Sequence, residues 1–360
     1  MIDQARLVQR FLDLVAIPSP SSQEQAIGAE LIKRFAALGG QVAQDEHGNI
    51  VAHWPDGQGD WLLLSAHMDT HAHDTPIRPQ IRNGVIYSDG TTILGSDDKS
   101  GVAVILETLQ SLCEDGFPHP PVEVVISVGE ERGLVGAHLL DTGALRARQG
   151  YVVDGDGPTG GIEIGTPTLD SIDVVIRGRK AHASKEPEKG ISAIRVAAEA
   201  IAAMPLGRVD FETIGNIGVI QGGSAPNMIP DEVHIRGQAR SHNHAKLERQ
   251  VAAMVRAFEE TAGRHGAQVG IKVTRHELSY RLTEATPVVA HATEAARRLG
   301  IEPRLDGNAT ATDANVFNQV GITCAVLATG VEDKHTLREH IAIDDLVNAA
   351  RLLAEILATL

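Results

Sequence analysis

Apolar positions along the first 155 or so residues follow two alternating rhythms. Short runs at 61–66 (Trp-Leu-Leu-Leu-Ser-Ala), 122–128 (Val-Glu-Val-Val-Ile-Ser-Val) and 151–153 (Tyr-Val-Val) have strand length and end in polar or turn residues. Between them, 26–38 and 98–112 repeat apolar residues at helical spacing. Strands alternating with helices predict an α/β layer structure around a largely parallel sheet. From about 169 the order changes to strand 172–177, helix 191–204, strand 214–220, strand 232–239, helix 244–264 and strand 269–276. That β-α-β-β-α-β order predicts a ferredoxin-like α+β unit. From Pro287 onward the pattern returns to helix, strand (323–327) and closing helix (343–360), which should complete the first sheet. The expected organisation is therefore a mixed, mostly parallel sheet domain from 1–168 plus 285–360, with an inserted ferredoxin-like domain at 169–284.

A chain of 360 residues is long enough for about two such domains. Its charge narrows the function classes. With Lys plus Arg at 32 and Asp plus Glu at 47, the net charge of −15 repels phosphate backbones and anionic lipid. Aromatic residues make up only 3%, too few for the stacking platforms of single-strand binders. Neither nucleic acid nor a membrane is an expected partner, and no stretch reaches the roughly 18 apolar residues of a membrane span. The first residues form a charged amphipathic pattern rather than a leader, so the cytoplasm is the expected compartment. Cys113 and Cys324 each stand in an apolar stretch, where a small buried hydrophobe is expected and a disulfide framework is not.

One motif is a decoy. Gly155-Asp-Gly157-Pro-Thr-Gly160 spells a dinucleotide fingerprint, but the segment after it reads as extended or turn where a helix would have to open. No Walker loop, Gly-x-Ser-x-Gly elbow or His-Glu-x-x-His helix is present. What remains is a set of His, Asp and Glu residues far apart in sequence, each just beyond the carboxyl end of an expected strand or in a loop on that side. Ligands bind at that edge of open α/β sheets. His67-Met-Asp69-Thr70 follows the first strand, Asp97-Asp98-Lys99 opens a helix, Glu130-Glu131 follows the strand at 122–128, Asp154 follows the strand at 151–153, and His335 follows the loop after 323–327. Singly, each of these acids reads as a solvated charge or a helix cap. Gathered on one edge, two imidazoles and three carboxylates can hold two Zn²⁺ ions if one carboxylate bridges. Of two adjacent acids beyond a strand, one can bind metal while the other moves a proton. Residues two apart on an extended segment point the same way, so Asp69 can orient His67.

These residues resemble the cocatalytic dizinc peptidases, the family of peptidase T, carboxypeptidase G and the deacylases of succinyl-diaminopimelate and acetylornithine. The likeness covers nearly the whole chain, and Leu94-Gly-Ser-Asp97-Asp98-Lys99 and Val152-Val-Asp154-Gly are most similar to peptidase T. It implies metal ligands at His67, Asp97 (bridging), Glu131, Asp154 and His335, with His340 the nearby alternative to His335 and the two ions about 3.5–4 Å apart. It further implies that Glu130 is the general base, that Asp69 steadies His67, and that the insert serves as lid and dimerisation domain. In Gly178-Arg-Lys-Ala-His182-Ala-Ser, His182 would steady the oxyanion in the partner subunit of a homodimer. In Asn227-Met-Ile-Pro230, Asn227 would act with Arg240 on the substrate's backbone or carboxylate. Without the resemblance, His182 and Arg240 read as surface charges. An Asp at 154 points to an aminopeptidase on short peptides, with a carboxypeptidase or N-acyl-amino-acid deacylase as the alternative. Zinc is the expected ion, though Co²⁺ and Mn²⁺ also suit His and carboxylate ligands. His71, His73 and Asp74 crowd the loop after Asp69; exposure and a second pocket are both open readings of them.

Overall fold

The computed structural model describes residues 1–71, 76–307 and 310–360; His73 and Asp74 lie outside the described residues. The chain divides into two compact units, Met1–Gly165 with Tyr280–Leu360, and Thr166–Ser279.

The first unit is built on an 11-stranded sheet. At its centre stand four mutually parallel strands in the order Val122–Ser127, Leu62–His67, Gln149–Asp156, Thr323–Glu332. The first two are buried along their whole length, as apolar runs covered on both faces require. The expectation of parallel strands holds for this centre. Toward the edges the pairing turns antiparallel, through Ile50–Trp54 and Gln41–Gln44 on one side and His340–Ala342, Val85–Tyr87 and Gln80–Arg82 on the other. Helices Gln4–Val15, Ser96–Asp115 and Ile343–Thr359 share one core with the sheet through Phe11, Val102, Leu106, Val124, Leu353 and Ile356.

Parallel central strands have one practical consequence: all their carboxyl ends emerge on the same edge. Helix Ser96–Asp115 crosses close to this sheet, because Gly101 lacks a side chain. A Cβ there would lie 1.9 Å from the carbonyl oxygen of Val153. The decoy at 155–160 forms the end of strand Gln149–Asp156 and a turn into strand Gly161–Glu163, with no helix opening. Cys113 departs from expectation. It lies in the last turn of its helix, beyond the covered part, and is exposed; Cys324 is buried, and both are free thiols.

In the second unit, strands Thr168–Arg177, Thr213–Gly222, Glu232–Ser241 and Gln268–Arg275 and helices Ala193–Ala203 and His244–His265 follow in β-α-β-β-α-β order. All principal strand pairs are antiparallel. Alternation along Thr168–Arg177 puts Ile172, Val174 and Ile176 on the face that meets Val196, Ala200, Leu247, Met254 and Phe258 of the two helices.

Candidate metal centre

His67 is the last residue of its strand, and its ring is enclosed by carboxylates. Its Nε2 lies 3.1 Å from Asp97 Oδ1, 3.8 Å from Asp154 Oδ1 and 4.0 Å from Glu130 Oε2. On the other side of the ring, Nδ1 is 3.3 Å from Asp69 Oδ1. The two-residue spacing thus places Asp69 behind the imidazole. Asp69 also fixes the next element, accepting the backbone N–H of Glu130 at 3.0 Å, the N–H of Glu131 at 3.3 Å and the hydroxyl of Ser21 at 2.7 Å. Glu130 and Glu131 open a single 3₁₀ turn between Gly129 and Gly133, both with positive φ.

Asp97 and Asp98 precede the regular part of their helix with non-helical backbone, and the peptide between them is cis. What holds this loop is Glu339. Its carboxylate accepts the N–H groups of Leu94 (2.9 Å), Gly95 (3.0 Å), Ser96 (2.7 Å) and Asp97 (3.2 Å), together with the Ser96 hydroxyl at 2.6 Å. Asp98 accepts the N–H of His67 at 3.2 Å and that of Gly101 at 3.0 Å, so it fastens strand to helix. Its neighbour Asp97 is aimed at the imidazoles instead. His335 Nε2 is 3.0 Å from Asp97 Oδ2 and 2.8 Å from Glu131 Oε1.

Among the described residues two groups of metal-capable donors result, each with ligand atoms within 4.8 Å of one another: buried His67, Asp97 and Asp154, and the more open His71, Glu131 and His335. All five expected ligands fall in these groups. His340 falls in neither; it stacks on Tyr87 and lies 3.6 Å from Glu332. His182 and Asn227 are neighbours in the second unit, where His182 pairs with Met228 and the Ala183 N–H donates to the Asn227 carbonyl at 3.0 Å. Arg240 belongs to the same unit, on strand Glu232–Ser241.

The charge balance of the donor cluster fits cations. Burial, then the charges of Asp98 and Asp97, push Asp154 well above the usual carboxylate range. Burial likewise pushes Glu130 well up, with Asp313, Asp97 and Glu131 adding to it. Asp97 goes the other way: burial opposes ionisation, but hydrogen bonds from His335 and His67 hold it well below that range. His335 is pushed up to about 10 by Asp97 and Glu131. Lys334, not singled out from sequence, sits 3.6 Å from Asp97 and 2.9 Å from Asp156. Buried like charges at such distances need cations to stay ionised together, and a His/Asp/Glu donor set suits borderline divalent ions.

Glu339 was not anticipated as a structural anchor of the site, although it lies within the His335-Thr-Leu-Arg-Glu339 run. A charge whose work is to gather backbone N–H groups leaves no sequence spacing to detect.

The profile of the peptidase family M20/M25/M40 matches residues 63–359, and the chain belongs to that family. It is a metal-dependent peptidase. The crystal structure of the aminopeptidase PepT from Bacillus cereus is similar over 99% of this chain and 98% of that one, with a TM-score of 0.94 and 41% identity. That of a tripeptidase from Staphylococcus aureus is similar over 100% and 99%, with a TM-score of 0.97 and 38% identity. Peptidase T of Brevibacillus brevis is 27% identical over 98% of each chain.

Proposed function

We propose that this chain is an aminopeptidase acting on short peptides, with two divalent ions, zinc in the first instance, at the edge of its main sheet. The observation that carries the reading is the placement of Asp97, one oxygen toward His67 and the other toward His335. His67 and Asp154 would hold one ion, Glu131 and His335 the other, and Asp97 both. Bound there, the ions would polarise the scissile carbonyl and ease deprotonation of the attacking water.

Everything else is the work of the side chains. Glu130 takes the proton from the attacking water and returns it to the nitrogen of the departing amine, so one water adds across the peptide bond. Asp69 keeps the His67 ring oriented through Nδ1. The likeness to PepT and peptidase T supports the amino-terminal reading. In it, the peptide's free ammonium pairs with carboxylate oxygens of the metal site. Arg240 and Asn227 hold its far carboxylate or backbone, since a guanidinium fork matches a carboxylate.

The assembly we propose is a cytoplasmic homodimer formed through the second unit, with His182 stabilising the oxyanion in trans. Strand Thr213–Gly222 supports it: strand Gly207–Arg208 covers only Ile214 and Gly215, and beyond these, among the described residues, no strand pairs with its outer edge. An edge of that length invites pairing with a symmetry mate. Sedimentation showing a fully active monomer would remove the dimer and the role of His182 together.

The deciding experiment compares di-, tri- and tetrapeptides with their N-acetylated forms on metal-loaded enzyme. Free-amino tripeptides should be cleaved fastest and acetylated ones hardly at all. Equal or faster cleavage of acetylated substrates would replace this reading with a deacylase or carboxypeptidase.

A further inference from the structure

Outside the five donors, and among the described residues, the His71 imidazole also faces the cluster. His71 follows Thr70, whose backbone N–H donates to the Ser19 carbonyl at 2.9 Å and which forms a parallel bridge with Pro20. The chain is therefore anchored immediately before the imidazole emerges. The His71 ring lies 4.9 Å from that of His335, centroid to centroid, at an interplanar angle of 18°. Its donor atom lies within 4.8 Å of those of both Glu131 and His335. Two ligands of one tetrahedral ion stand about 3.3–3.5 Å apart, given metal–donor distances near 2.0–2.1 Å. His71 is exposed, and a closing movement of that size would bring its ring to the ion beside His335.

We infer that His71 is a third protein ligand of the ion held by Glu131 and His335, beside the bridging Asp97. The inference rests on the dimetal reading above. The two ions then have unequal surroundings. The buried one takes a single imidazole and two carboxylates; the outer one takes two imidazoles. Nitrogen-rich coordination favours Zn²⁺ over the oxygen-preferring Mn²⁺, so the outer position becomes the more zinc-selective of the two. The donors of the outer ion are also the more exposed of the two groups, making that ion the more easily stripped.

X-ray absorption on protein loaded with two zinc ions counts imidazoles directly. Three histidines shared by two ions give an average of about 1.5 per zinc, and H71A should lower it to about 1.0. Stepwise calorimetric titration of the same variant should show the weaker-binding ion losing at least about 10–100-fold in affinity, with the tighter one unchanged. H71N serves as a second variant in case alanine alters the loop. If imidazole number and both affinities are the same in parent and variants, the inference is overturned. A rise in KM with metal binding intact would make His71 a substrate contact, which also overturns it. Failure of the dimetal reading looks different: the parent itself would not take up two ions.

Discussion

Asp97 and His335 meet at 3.0 Å through Oδ2, while the other carboxylate oxygen of Asp97 is 3.1 Å from His67. The residue thus stands between two imidazoles that come from opposite ends of the chain. Replacing it by Asn keeps the shape but removes the charge and turns one of the two acceptor atoms into a donor. Asp97→Asn should leave the protein with one zinc or fewer by elemental analysis. Turnover should fall at least about 10²-fold, more than the usual loss for a residue that merely supports a ligand. Two tightly held ions in this variant would show that Asp97 does not bridge.

Glu130 differs from its neighbour in what it faces. Glu131 Oε1 sits 2.8 Å from His335, whereas Glu130 Oε2 lies toward His67 at 4.0 Å, a looser position suited to exchanging a proton. Burial raises its proton affinity, which favours proton capture from water. Glu130→Gln should cost about 10²–10⁴ in kcat with metal content unchanged. Near-normal turnover would assign the proton transfer to another group.

Glu339 gathers four backbone N–H groups and a hydroxyl from the loop that carries Asp97. In Glu339→Gln one acceptor becomes an amide that points its own hydrogens at these donors. Each buried N–H left without an acceptor costs about 1–3 kcal/mol, so the melting temperature should drop clearly. Asp97 loses its fixed position as well. Metal affinity, measured by competition with a chelating dye at a temperature where the variant is folded, should fall about 10–100-fold. A destabilised variant with parental metal affinity would limit Glu339 to a structural role.

How much of this was legible beforehand follows from where each signal resides. The central strands announce themselves because burial on both faces demands unbroken apolar runs, and their carboxyl ends point to the edge where His67, Glu131 and Asp154 collect. The relation of Asp69 to His67 follows from the alternation of an extended chain. The antiparallel flanks escape such reading, since strands of three residues such as Gln80–Arg82 and Val85–Tyr87 are too short to carry a pattern. Cys113 was misjudged because helical periodicity fixes a face, not the point along the helix where cover ends. His71 and Lys334 stand beside expected site residues in the sequence, but only tertiary folding brings them to Glu131 and Asp156, and no spacing announces those approaches.

A buried acid outside the donor set gives the pH dependence a distinct source. Glu163, at the end of strand Gly161–Glu163, is pushed up to about 7 by burial and then by the nearby charge of Asp156, and one of its oxygens has no hydrogen-bond partner among the described residues. In the unfolded chain it titrates at the ordinary glutamate value of 4.5. Between these values the folded state binds more protons than the unfolded one, so stability falls as pH rises through the window and levels off above about 7. The loss at pH 8 relative to pH 4 is on the order of a few kcal/mol for this group, at about 1.4 kcal/mol per pH unit. Glu163→Gln removes the titration while keeping the shape. Its advantage over the parent in urea unfolding should therefore be small at pH 5 and grow toward pH 8, both proteins being compared in the presence of chelator so that metal binding does not contribute. A difference that stays constant from pH 5 to 8 would mean that Glu163 ionises in the fold as readily as in water.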